Sequence, residues 1–258
     1  MNAHSPPAGE AALTIRGLSV AYGGKPVLLS VDADVPNGAM MAVVGPNGAG
    51  KSTLIKAALG IVPPVTGTAR FFGLPFDKAR GRVAYMPQRA SVDWDFPATA
   101  LDVVMMGLYR ELGLFRLAGK RQRQKALACL ARVGMESFAT RQIGQLSGGQ
   151  QQRVFLARSL AQDAELYIMD EPFAGVDAAT EQAIVEVLKN LNRQGRSIVC
   201  VHHDLSTVAD YFNHVLLLNG RKVACGTVAA AFTRANLDIA YGGRLASEET
   251  APREVEVA

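Results

Sequence analysis

Apolar residues along this chain fall into two rhythms. Over residues 13–35, LTIRGLSVAYGGKPVLLSVDADV, they alternate with polar ones around the pair Gly23-Gly24, which predicts two strands joined by a tight turn. From residue 38 the rhythm changes. A continuous apolar run, GAMMAVVG, leads into a glycine-rich loop and then a helix-period stretch, KSTLIKAALG, that stops at Gly60. Short strand patterns follow in GTARFFG and RVAYMPQ. Residues 110–135 read as mostly helical and interrupt the alternation, so roughly 88–144 is expected to be an inserted helical subdomain. The strand–helix order then resumes with a helix after Ser147, the strand ELYIMD, the helix AATEQAIVEVLKNLNRQG and the strand SIVCVHH. Strands alternating with helices of this length predict a parallel sheet whose ligands bind beyond the carboxyl ends of the strands. The expected fold is therefore α/β, with an N-terminal antiparallel β subdomain and an inserted α-helical one.

Composition narrows the picture. With 258 residues, 49% hydrophobic and 19% charged, the chain is that of a folded protein. Its best apolar runs, MMAVVG and HVLLLNG, are of buried-strand length and too short to span a bilayer. Residues 1–12 lack the basic start and apolar stretch of a secretory leader and are expected to form a disordered tail. At the other end, a C-terminal extension from 227 closes in an acidic tail, SEETAPREVEVA, also expected to be disordered. Cys129, Cys200 and Cys225 show neither pairing nor metal spacing, which points to a reducing, cytosolic compartment. The net charge of +4 is too mild to indicate a polyanionic partner, and no nucleic-acid footprint is expected. One cluster stands out, because residues 110–125 carry six cations (Arg110, Arg116, Lys120, Arg121, Arg123, Lys125) against Glu111 alone. It reads either as a solvated helix face or as a surface held near anionic lipid headgroups.

The loop after the first apolar run carries chemistry. Residues 45–52, GPNGAGKS, fit G-x-x-x-x-G-K-[ST] with a strand before and a helix after. Glycines let the backbone curl so that successive N–H groups face phosphate oxygens, and the following helix adds the positive end of its dipole. Gly45, Pro46, Asn47, Gly48, Ala49, Gly50, Lys51, Ser52 and Thr53 are thus expected to bind a nucleotide. Lys51 would reach the β- and γ-phosphates, and Ser52 would offer its hydroxyl to Mg²⁺. The core is accordingly expected to be a phosphate-loop NTPase of the RecA-like kind.

Asp170 and Glu171 end the strand LYIMD. At that place Asp170 can hold Mg²⁺, and Glu171, projecting differently, can orient or deprotonate an attacking water. A plain helix-capping turn is the competing reading, which the phosphate loop disfavours. His202 and His203 end another strand. Neighbours on a strand point to opposite faces, which disfavours a shared metal. His203 is the expected γ-phosphate contact, and His202 the packing partner.

A second phosphate-like mouth, LSGGQ, opens a helix at Ser147, Gly148, Gly149 and Gln150. It again presents bare N–H groups and a hydroxyl to an anion. One chain cannot easily bring both cradles to one phosphate across a helical insertion, so the second is expected to serve a nucleotide bound to another copy. LSGGQQQR, with the phosphate loop before it and MDEP after it, closely resembles the signature of ATP-binding cassette (ABC) ATPases over residues 13–226. The resemblance implies two copies sandwiching two ATPs head to tail, an isologous pairing. It implies Tyr22 stacking on adenine, Gln88 sensing Mg²⁺ and the attacking water, and Asp177 crossing the dimer interface. It assigns Glu171 as the base and His203 as the switch histidine.

A single cassette without membrane helices further resembles the subunit of an importer, docked on a separate integral-membrane permease at the cytoplasmic face of the cell membrane. MPQRASVDWDFPATALDVVMMGLY and VHHDL look like the manganese, zinc and iron branch. Manganese is the first expectation for cargo, then zinc or iron, handed over indirectly by an extracytoplasmic metal-binding protein. Asp93, Trp94, Asp95, Phe96 and Pro97 open the helical insertion where such a subunit receives its permease, and read either as an interface anchor or as a self-packed loop. Iron-chelate, haem or cobalamin import, export, and a soluble ATPase acting on ribosomes or DNA remain alternatives.

Overall fold

The computed structural model describes residues 11–89, 96–109 and 119–242. The alternating N-terminal stretch forms a hairpin of β1 (Ala11–Tyr22) and β2 (Lys25–Pro36), closed where Tyr22 faces Lys25 across the Gly23-Gly24 turn. β1 begins at Ala11, two residues inside the expected tail, and Ala12 is fully buried. A pair of alanines carries too little pattern to read as strand, yet their small side chains fit under the sheet. The other edge of β1 pairs antiparallel with β4 (Thr66–Phe71), giving the order β2-β1-β4.

A second sheet is built from β3 (Met40–Val44), β5 (Val83–Met86), β6 (Leu166–Asp170), β7 (Ser197–Val201), β8 (His214–Leu218) and β9 (Lys222–Thr227), in the order β5-β6-β7-β3-β8-β9. All neighbours are parallel except β8 and β9. β3, β6 and β7 are buried at every residue because both faces are covered, which is why they read as continuous apolar runs. Alternation still sorts them. Met40, Ala42 and Val44 point into one core with Ile198 and Cys200, while Met41 and Val43 enter a second with Leu54, Ile55 and Val31. Each leucine or isoleucine so buried contributes about 1.5–3 kcal/mol. The buried Cys200 is free, and burial pushes its thiol up, so it behaves as a core residue.

Between β5 and β6 the described chain is helical, with helices Ala100–Met106, Lys120–Arg132 and Gly148–Ala161. Residues 110–118 of the expected helical stretch lie outside the described residues, and with them Arg110, Glu111 and Arg116. The first of these helices was legible only as part of the insertion. Its start is marked by a capping box in which Asp102 N donates to the Thr99 hydroxyl and Thr99 N donates to the Asp102 carboxylate. After β9 the chain continues through helices Val228–Ala231 and Arg234–Tyr241, so the C-terminal extension is folded as far as Gly242. The side-chain amide of Asn219 fixes the last helix by donating to Ala240 O at 2.9 Å. Residues 1–10 and 243–258, including the acidic tail, lie outside the described residues.

Candidate nucleotide site

The parallel strands end on one rim, and the chain leaves β3 there as the loop 45–50. Gly45 has no room for a side chain, since a Cβ would lie 1.9 Å from Leu218 O at the end of β8. Gly50 takes φ 91° immediately before helix Lys51–Ala58, a left-handed conformation suited to glycine. Lys51 lies along this loop, its Nζ donating to Gly45 O at 2.7 Å and Pro46 O at 3.0 Å. Burial lowers the Lys51 pKa, an effect opposed by Glu171 and Asp170. Ser52 Oγ donates to Asp170 Oδ1 at 2.8 Å. Asp170 is wholly buried and its Oδ2 has no hydrogen-bond partner. Burial raises its pKa, while the Ser52 hydrogen bond pulls it back. A hydroxyl beside a buried carboxylate with a spare oxygen is a donor set that suits Mg²⁺. A cavity of about 390 Å³ opens over the loop, lined by Tyr22, Val27, Asn47, Gly48, Ala49, Gly50, Lys51, Ser52, Thr53 and Glu171. Tyr22, 48% exposed at the end of β1, forms its aromatic wall. Val27 had no distinguishing signal in the sequence, because it is one apolar residue in a strand pattern.

Glu171 follows β6 with φ 56°, outside the region a glutamate prefers, at a cost of about 1–2 kcal/mol. The reversal turns it out of the strand direction, so that it lines the cavity while Asp170 stays buried beneath. Gln88 Nε2 donates to Glu171 Oε2 at 2.8 Å, and Gln152 Nε2 donates to Glu171 O at 3.1 Å. Gln152 is 1% exposed and was not singled out from the sequence, where it is one of three consecutive glutamines.

His202 and His203 directly follow β7, which ends at Val201, with their rings 6.2 Å apart. The His202 backbone N–H still donates to Val43 O at 3.0 Å, and the two side chains part as strand alternation predicts. His203 is exposed, whereas His202 is 2% exposed, edge-on to Phe173 at 5.4 Å, with its Nε2 2.7 Å from Thr207 Oγ1. Burial pushes His202 down to about 4 from 6.5. A histidine held neutral in the fold but free to protonate when unfolded stabilises fully above pH 6.5, and that stability is lost as pH falls toward 4. The loss amounts to about 3 kcal/mol. Urea midpoints measured from pH 7 to 4 should fall accordingly, with a shallower slope in His202→Gln.

The second cradle is built as a helix start. Ser147 caps helix Gly148–Ala161, its hydroxyl accepting from Gln150 N at 3.4 Å, while Gln150 Oε1 accepts from Ser147 N at 2.9 Å. Asp177 caps helix Ala178–Arg193, accepting from Thr180 N at 2.8 Å, and these bonds hold its pKa below the usual range. None of Ser147, Gly148, Gly149, Gln150 and Asp177 lines the 390 Å³ cavity. One chain therefore gathers Tyr22, the phosphate loop, Asp170, Glu171 and Gln88 at one place and leaves the second cradle outside it.

A family model described as ABC transporter matches residues 28–174, more than half of the chain. The chain belongs to the ABC transporter family. Among its relatives is the zinc transport system ATP-binding protein TroB of Treponema pallidum, 57% identical, with 92% of this chain and 89% of that one covered. Another is the manganese transport system ATP-binding protein MntB of Bacillus subtilis, 54% identical over 88% of this chain and 91% of the relative. Among solved structures, the ATP-binding subunit of an ABC transporter matches with TM-score 0.75 and 27% identity, covering 93% of this chain and all of that one. A bacterial ABC transporter cassette solved as a dimer matches with TM-score 0.75 and 27% identity, covering 84% and 98%. This ABC cassette is an ATPase with a phosphate-loop α/β fold. Among its described residues no helix is long and apolar enough to cross a membrane.

Proposed function

We propose that this chain is the ATP-hydrolysing subunit of an importer for a transition-metal ion, manganese or zinc first and iron next. The observation that carries this reading is near-full-length similarity to ATP-binding proteins of zinc and manganese transport systems. In this reading the cassette spans residues 13–226, with 88–144 as its helical subdomain. It works as a head-to-tail pair at the cytoplasmic face of the membrane, docked on a separate permease that receives metal from an extracytoplasmic binding protein.

Tyr22 stacks on adenine, residues 45–53 surround the phosphates, and Lys51 exchanges its loop carbonyls for the β- and γ-phosphate oxygens. Ser52, Asp170 and Gln88 would hold Mg²⁺, which would supply positive charge to neutralise the phosphates. Glu171 takes the proton of the attacking water, Gln88 holds the Glu171 carboxylate in place, and His203 contacts the γ-phosphate. Ser147, Gly148, Gly149 and Gln150 cap the ATP of the second copy, and Asp177 crosses between the two. ATP binds the closed pair better than the open one, and that difference moves the permease. Exposed Phe96, Met106 and Tyr109 on the helical subdomain support a docking face there. Asp93, Trp94 and Asp95, expected at the same face, lie outside the described residues.

Uptake of Mn²⁺, Zn²⁺ and Fe²⁺ in cells lacking this subunit tests the cargo. Uptake of one ion should fall and be restored by the intact chain but not by Lys51→Ala. Unchanged uptake of all three would remove the metal reading and leave the ATPase untouched.

A further inference from the structure

Gln88 belongs to the loop that meets the base, and the residue after it makes a contact that neither the phosphate loop nor the carboxylates require. The Arg89 guanidinium donates twice to Gln151 Oε1, from Nε at 3.0 Å and Nη2 at 2.9 Å. It also lies flat against the first signature glycine, where a Cβ on Gly148 would sit 3.3 Å from Arg89 Cζ. Gln151 is 4% exposed and is itself fixed, its amide donating to Ile143 O at 3.1 Å. From the other side, Gln152 of the same helix donates to Glu171 O, and Gln88 donates to the Glu171 side chain. These contacts close a ring: Glu171 to Gln88, along the chain to Arg89, across to Gln151 and Gln152, and back to Glu171.

We propose that Arg89 is a positioning residue that couples the water-activating loop at one ATP to the signature turn with which the same chain grips the ATP of its partner. The proposal rests on the head-to-tail pairing proposed above. Two N–H groups of one rigid guanidinium that converge on a single amide oxygen fix the direction of the contact as well as its length, so a shift of the Gln88 loop drags Gly148 and Gln151 with it. Since the two elements of one chain serve different nucleotides, this link makes each site report its occupancy to the other. Coupling between sites of this kind is ordinarily 5–150-fold.

The test compares the full chain with Arg89→Gln, Arg89→Lys, Gln151→Ala and the double change Arg89→Gln/Gln151→Ala, measuring steady-state ATPase against ATP concentration. Arg89→Gln and Gln151→Ala should each lower kcat about tenfold and bring the Hill coefficient from about two to about one. Binding of a fluorescent ATP analogue to the separated monomer should stay within about twofold, since neither residue lines the nucleotide cavity. Arg89→Lys, which keeps the charge but loses the paired donors on Gln151 Oε1, should recover only part of the cooperativity. The double change should cost no more than either single one, the signature of a shared contact. Unchanged cooperativity in Arg89→Gln and Gln151→Ala, or losses that simply add, would overturn the proposal. If Arg89→Gln proves unstable, Gln151→Ala reports the same coupling without touching the loop. In parallel, Glu171→Gln with ATP reports whether the pair forms at all. A solitary chain there defeats the pairing and this proposal together, whereas a normal pair with intact cooperativity in the Arg89 and Gln151 variants defeats this proposal alone.

Discussion

Glu171→Gln is expected to cut ATP turnover by about 10²–10⁴-fold, the range that a positioned general base supplies. The substitution is nearly isosteric, and an amide oxygen at the position of Oε2 can still accept the 2.8 Å hydrogen bond from Gln88. The phosphate loop, the Ser52–Asp170 bond and the cavity should all survive, so ATP affinity should change little while kcat collapses. Steady-state turnover and equilibrium nucleotide binding, measured on the same sample, separate the two. The backbone supports the assignment. A glutamate held at φ 56° beside a buried aspartate keeps a strain that glycine would relieve, and what it gains is a carboxylate in the cavity. Turnover within about tenfold of the parent would remove Glu171 from the role of base.

Gly45→Ala is expected to be the most damaging single-methyl change in the loop. The added Cβ would fall 1.9 Å from Leu218 O and 3.2 Å from Ala49 Cβ, both on rigid chain, so either β8 or the phosphate loop must move. Overpacking of this kind costs about 3 kcal/mol or more, which corresponds to a fall in Tm of roughly 6–12 °C. Because Gly45 O also accepts from Lys51 Nζ, the same shift misplaces the lysine, and ATP binding should weaken by about 100-fold or more. Gly195→Ala is the control. There φ is 82° but nothing lies within 4 Å, so only the left-handed backbone is penalised, by about 1–2 kcal/mol, with ATP binding intact. Thermal melts and nucleotide titrations on both variants distinguish a steric clash at the site from backbone strain elsewhere.

Much of this fold was legible because its signals are local. The Gly23-Gly24 turn, the loop 45–52 between a strand and a helix, and Asp170 and Glu171 after an apolar run each occupy a few consecutive residues. The signature turn was equally plain, since Ser147 and Gln150 form their capping box within four residues. What the sequence hid depends on contacts between distant segments. Gln152 and Arg89 are distinguished by partners 19 and 62 residues away. Val27 becomes a cavity wall only because β2 lies beside the loop. The helices after β9 are of four and eight residues, too short for their periodicity to rise above the surrounding pattern.

In the proposed pair, the second cradle at Ser147 takes no phosphate from its own chain and is filled by the ATP of the other copy. Ser147, Gly148, Gly149 and Gln150 open a helix and do not line the nucleotide cavity of their own chain, which supports a second copy as the source of their ATP. Light scattering on Glu171→Gln with ATP and Mg²⁺, compared with the same protein carrying Ser147→Arg, tests it most directly. Glu171→Gln is expected to show twice the single-chain mass with ATP and a single-chain mass without it, and the doubly substituted protein a single-chain mass throughout. A single-chain mass for Glu171→Gln at saturating ATP would contradict the pairing.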